Sequence, residues 1–275
     1  MSDAPNQQWP YIISVANQKG GVGKTTTAIN LAAGLVECGA RVLLIDLDPQ
    51  GNASTGLGVT PLERKRTTYD LLVDDIPIAE TVIETSIPGL YLSPANADLS
   101  SADMELVANE KRSFLLHDAL RAPDIGAFDI DFILIDCPPS LSLLTVNALV
   151  ASHSVLVPLQ TEFFALEGLS QLMLTLREIR QTANRDLRIE GVVLTMHDAR
   201  NRLSQQVESD ARKTLGDLVF RSVIPRNVRV SEAPSYSIPV LSYDTQSKGA
   251  EAYRSLTAEV IARHPLIRRK KVSEK

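Results

Sequence analysis

The chain has 275 residues, a formal net charge of −5, 44% hydrophobic and 22% charged residues. That balance excludes a disordered chain, no run approaches the ~18 apolar residues of a membrane span, and the net charge taken alone argues against a polyanionic partner. The charge is unevenly placed, however: residues 1–176 carry 9 Lys and Arg against 21 Asp and Glu, and residues 177–275 carry 19 against 12. Cys38 and Cys137 have no CxxC spacing for zinc or a cluster and are expected to be buried, reduced and structural. The polar N-terminus lacks the basic-then-apolar plan of a secretory signal, so a cytoplasmic protein is expected.

In chain order, apolar runs predict strands at 11–15, 41–46, 90–93, 132–136, 154–158, 189–195 and 220–224. Helical periodicity falls between them, at 25–37, 104–120, 141–151, 166–183, 202–215 and 250–261. Strands apolar on both faces and separated by helices predict an α/β fold: one mostly parallel twisted sheet with helices on both faces. With no internal repeat or low-complexity linker, the expected organisation is a flexible segment 1–10, one domain 11–264 and a basic tail 265–275. In such sheets ligands sit at the carboxyl ends of the strands.

After the first strand runs Asn17-Gln18-Lys19-Gly20-Gly21-Val22-Gly23-Lys24-Thr25-Thr26-Thr27, directly into a helix. Gly20, Gly21 and Gly23 let the backbone curl around a phosphate with N–H groups inward. The helix start adds its positive dipole end. Lys24 would reach the β and γ phosphates, the Thr25 hydroxyl would coordinate Mg²⁺, and Thr26 would bond a further phosphate. The ordinary phosphate-loop pattern needs glycine where Gln18 stands, and the dinucleotide pattern needs one where Thr26 stands. The second strand ends in Asp46-Leu47-Asp48, whose alternation turns both carboxylates to one side. The fourth apolar run closes on Asp136, a metal-binding strand end that would hold Mg²⁺ through water. No Asn-Lys-x-Asp guanine motif occurs, which favours ATP over GTP.

The loop Lys19-Gly-Gly-Val-Gly-Lys24-Thr resembles the deviant Walker A motif of the ParA/MinD class of P-loop ATPases. Further stretches are similar to its chromosome-partitioning, Soj-type branch: Asp48-Pro-Gln-Gly-Asn-Ala-Ser-Thr-Gly, Glu190-Gly-Val-Val-Leu-Thr-Met-His-Asp-Ala-Arg200, and Val223-Ile-Pro-Arg-Asn-Val-Arg229-Val-Ser-Glu-Ala-Pro234. The resemblance implies an ATP hydrolase in which Lys19 reaches across a sandwich homodimer to the partner's phosphates. A cation supplied in trans makes charge stabilisation depend on dimerisation. It further implies that Asp48 orients the attacking water and helps hold the metal shell, that Asp46 supports the site, and that Pro225 and Asn227 contact adenine. Arg200 and Arg229 match positions for sequence-independent binding of double-stranded DNA, and the implied partner is a ParB-type centromere-binding protein that stimulates hydrolysis. The expected location is the cytoplasm, on the nucleoid.

The iron-protein branch of the class needs mid-chain cluster cysteines that Cys38 and Cys137 do not match. The alternative is a MinD-like positioning ATPase acting on a membrane or protein cluster. There the chain end would be an amphipathic helix; here Pro265 interrupts it and basic residues follow, so no stable membrane anchor is expected. Scattered arginines without a recognition helix suit phosphate contacts rather than base reading. Because the basic half of one subunit works against its own acidic half, DNA binding is expected to need the ATP-bound pair.

Overall fold

Eight strands form in the computed structural model, which describes residues 9–264. They are β1 (Tyr11–Val15), β2 (Val42–Asp46), β3 (Ile83–Glu84), β4 (Leu90–Ser93), β5 (Phe132–Asp136), β6 (Ser154–Gln160), β7 (Arg188–His197) and β8 (Val219–Pro225). They lie side by side in the order β3-β4-β2-β5-β1-β6-β7-β8. Only the two-residue edge strand β3 runs antiparallel. β2 and β5 are buried at all five positions, the signature of a parallel sheet covered on both faces.

Successive side chains point to opposite faces, so each apolar strand feeds two cores. Ile13, Val42, Leu44 and Leu134 meet Leu31, Leu35, Tyr253 and Leu256 on one face. These come from the helices Lys24–Glu37 and Lys248–Arg263. On the other face Ile12, Leu43, Ile133 and Val155 meet residues such as Leu144, Leu172 and Val207. Their helices are Leu143–Ala151, Ala165–Thr182 and Arg202–Leu215. The first two helices approach so closely that a Cβ on Gly34 would lie 2.2 Å from the Thr257 hydroxyl.

Most expected elements form within two residues of their predicted ends. The helix expected at 104–120 does not. It breaks into the short helices Ala102–Glu105 and Leu115–Ala119. Buried Asn147 explains the break: its Oδ1 accepts the Leu116 amide at 3.1 Å and its Nδ2 donates to the Arg112 carbonyl at 2.7 Å. Side-chain bonds of this kind replace the helical ladder. A second correction concerns Cys38, which is exposed at the end of the first helix; Cys137 is buried as expected. Of the segment expected at 1–10, residues 1–8 lie outside the described residues, as does the whole of 265–275.

Candidate nucleotide site

Strand pairing assembles the site. β5 inserts between β2 and β1, placing Asp46 opposite Asp136 and Asp136 opposite Val15. The carboxyl ends of three strands distant in the chain thus converge, and the glycine-rich loop leaves β1 at that point. Gly21 and Gly23 have φ of +74° and +85°, a left-handed region open to glycine at little cost. Gly23 is the N-cap of a helix that begins at Lys24, one residue earlier than the periodicity indicates. The loop is tied on both sides. Asn17 donates to the Pro158 carbonyl at 2.7 Å and accepts the Lys19 amide at 3.0 Å. The Thr195 hydroxyl donates to the Val22 carbonyl at 2.9 Å.

Lys24 is buried and its ammonium donates to the Lys19 carbonyl at 2.9 Å. Burial pulls this lysine below its ordinary pKa, and Asp136 is the foremost charge opposing that. The cation is therefore held inside the curl of the loop, where a phosphate would sit.

The three carboxylates differ in how they are satisfied. Asp46 is fully buried. Its Oδ2 accepts the Ser54 hydroxyl and amide at 2.6 and 2.8 Å, and its Oδ1 accepts the Asp48 amide at 3.3 Å. Burial nevertheless pushes it up to about 6. Ser54 in turn accepts the Ala95 amide at 3.0 Å. Asp46 thus braces the segment that carries Asp48. Asp48 is buried at the loop mouth, with Oδ1 accepting the Gln50 amide at 3.0 Å. Asp136 is fully buried, and neither of its oxygens has a well-aligned hydrogen-bond donor. Its carboxyl lies well above the usual range because of burial first and the Asp46 charge second; the nearby Thr25 hydroxyl works the other way.

A buried carboxylate with no well-aligned donor, beside the Thr25 hydroxyl and an ammonium, fits a divalent cation, which supplies the missing positive partner. Among the described residues no group of three or more His, Cys, Asp or Glu side chains forms a cage of protein ligands. A metal here would complete its shell with phosphate oxygens and water, as magnesium does. A cleft of about 280 Å³ opens beside Thr25 and Thr26, lined also by Asn30, Asn52, Pro234 and Pro239.

The expected adenine and DNA residues lie on the adjoining strand ends. Pro225 pairs with His197 across β8 and β7, and the Arg226 amide donates to the His197 carbonyl at 2.9 Å. The segments that leave β7 and β8 therefore start side by side, Arg200 following one and Arg229, in the first turn of the helix Val228–Glu232, following the other. Arg200 has a side chain 94% exposed, with a 3.5 Å contact to Asp198. Arg229 is engaged by Glu232 at 2.9 Å and Asp244 at 3.3 Å. Asn227 caps the helix Val228–Glu232 by accepting the Arg229 amide at 2.8 Å. Pro225 and Asn227 do not line the cleft beside Thr26. Sequence reasoning missed Ser54, Asn30, Thr195 and Glu162. Ser54 and Thr195 stood in stretches already singled out, and nothing local marks Asn30 or Glu162.

Known proteins provide an independent comparison. An AAA domain family model matches residues 11–189. The chromosome partitioning protein ParA of Caulobacter vibrioides is 55% identical over 252 residues, 92% of this chain and 94% of that protein. The chain belongs to the ParA/Soj family. Another relative in that family, the sporulation initiation inhibitor protein Soj of Bacillus subtilis, is 51% identical, covering 91% and 98% of the two chains. Among solved structures, cobyrinic acid a,c-diamide synthase from Mycobacterium smegmatis with a bound ATP analogue and magnesium superposes with a TM-score of 0.78. It is 37% identical, over 90% of this chain and 93% of that one. The cell division ATPase MinD of Pyrococcus furiosus gives 0.75 at 27% identity, over 92% and 98%. The fold is that of a P-loop NTPase.

Proposed function

We propose that this protein is a partitioning ATPase: it binds ATP with magnesium, pairs with a second copy in that state, holds double-stranded DNA without sequence preference, and lets go on hydrolysis. The observation that carries the reading is the buried Asp136 carboxylate, short of well-aligned donors and set against Lys24, Thr25 and the positive-φ glycines. The relatives named as chromosome-partitioning proteins support the cellular role.

The loop amides and Lys24 would cradle the phosphates, with the start of the helix contributing its dipole. Thr25, Asp48 and Asp136 would hold magnesium, which neutralises phosphate charge and lowers the barrier to displacement. Asp48, fixed through the Asp46–Ser54 bonds, would orient the attacking water. Lys19 would reach the partner's phosphates. Exposed Phe163, Phe164 and Leu141, near the loop, support a face that a second subunit covers. Pro225 would pack on adenine. With the Asn227 oxygen spent on its cap, a base contact would fall to Nδ2.

Arg200 and Arg229 would meet DNA phosphates, and two subunits would double a weak patch. A ParB-type partner would stimulate hydrolysis and so release the dimer. Among the described residues no helix is long and apolar enough to cross a membrane.

Cosedimentation of the protein with DNA and, separately, with liposomes, each with ATP, ADP or no nucleotide, tests this reading. ATP-dependent, salt-sensitive pelleting with DNA alone is expected. Pelleting with liposomes alone would replace it with the membrane-positioning reading.

A further inference from the structure

Lys19 is already engaged within its own subunit. Its ammonium forms an ion pair with Glu162, the two side chains being 39% and 33% exposed. Both ends of this pair are built onto β6. The Lys19 amide rests on Asn17, which is bonded to Pro158 in that strand. Glu162 stands two residues past the strand end on a tight turn. Its amide donates to the Gln160 carbonyl at 2.9 Å and its carbonyl accepts the Ala165 amide at 3.0 Å. Next to it, buried Thr161 is pinned by its amide on the Thr195 carbonyl and by a 2.5 Å contact with the Ser204 hydroxyl. Because β1 and β6 are adjacent and parallel, the carboxylate is presented at a fixed place beside the phosphate loop.

We propose that Glu162 is a positioning residue that holds Lys19 in cis in the free subunit. Pairing then requires the lysine to exchange the Glu162 carboxylate for the partner's phosphates. The proposal rests on the reading that Lys19 acts across a dimer, and it deepens that reading. A polyphosphate carries more negative charge than one carboxylate and accepts from the ammonium at several oxygens. The exchange is therefore favourable when a partner presents triphosphate, and less so once the γ-phosphate is gone. Glu162 would set the threshold for pairing and recapture Lys19 after release.

A partly exposed pair of this kind is worth roughly a 2- to 5-fold bias. Two such pairs break in a symmetric dimer, so removing the carboxylate is expected to tighten dimerisation by about 4- to 25-fold. The test is the dimer dissociation constant, measured by analytical ultracentrifugation with a non-hydrolysable ATP analogue at low and high salt. The proteins are wild type, Glu162→Gln, Glu162→Asp, Lys19→Ala and the Lys19→Ala/Glu162→Gln double variant. Expected is a tighter dimer for Glu162→Gln at low salt with an advantage that shrinks as salt rises. Glu162→Asp, which keeps the charge, should remain close to wild type. The double variant should match Lys19→Ala, since Glu162 acts through the lysine. The proposal is overturned if Lys19→Ala weakens the dimer while Glu162→Gln leaves it unchanged or weaker. If Lys19→Ala pairs as wild type does, the trans-lysine reading itself falls.

Discussion

Replacing Asp136 by Asn should stabilise the nucleotide-free protein while removing its response to magnesium and ATP. The neighbouring Asp46 provides the scale. It has two Ser54 donors and is still raised from 3.8 to about 6. At about 1.4 kcal/mol per tenfold, that costs the fold roughly 3 kcal/mol at neutral pH. Asp136 lacks those two Ser54 donors, and burial together with the Asp46 charge raises it well above the usual carboxylate range, so its cost has the same sign. Asparagine keeps the shape but buries a poorly satisfied amide, which returns part of the gain. The net expectation is a higher melting temperature for the nucleotide-free variant than for wild type. The sign with pH follows from a folded pKa raised above the unfolded value. The charged carboxyl costs stability above that range, and the cost vanishes once both states are protonated below the unfolded value. The variant's advantage should thus shrink as the pH falls towards 3.8, where both states become protonated. Thermal unfolding with and without magnesium and ATP, across this range, measures both effects. A variant that melts lower than wild type without ligand, or one that gains as much from magnesium and ATP, would refute the reasoning.

Lys24→Ala should weaken ATP binding by at least tenfold in calorimetry, since the buried ammonium is the loop's charge for phosphate; unchanged affinity would refute its assignment. Asp48→Ala should keep ATP, dimerise and remain on DNA while hydrolysis falls by about 10²-fold or more, read in a phosphate-release assay. Normal turnover would remove its role in orienting water. Arg200→Glu should weaken binding to all DNA sequences alike and flatten the salt dependence, with Arg229→Glu weaker in effect because Glu232 and Asp244 already engage that side chain. A change of sequence preference would contradict phosphate contacts. Gly34→Ala should destabilise the fold by about 1–3 kcal/mol in denaturant titration, because the new methyl meets Thr257.

Local chemistry by itself determined much of this protein. The glycines before Lys24-Thr25, the apolar runs ending in Asp46 and Asp136, and helix periodicity read correctly because each depends on residues near in the chain. The alternation of strand and helix was sufficient for a parallel sheet. Only the tertiary structure decided that β5 lies between β1 and β2, which makes Asp136 a buried neighbour of Asp46 and leaves it without a well-aligned donor. Pairing across roughly ninety residues has no local signature, because it is selected by the burial of whole faces. The same reason hid Asn147, which intercepts the start of the helix Leu115–Ala119 from thirty-one residues away, and the Lys19–Glu162 pair, joined only because β6 lies beside β1. Charge composition predicted a basic carboxyl-terminal half. The side-by-side ends of β7 and β8 decided which arginine is almost wholly exposed, with one long contact to Asp198, and which is held by two carboxylates.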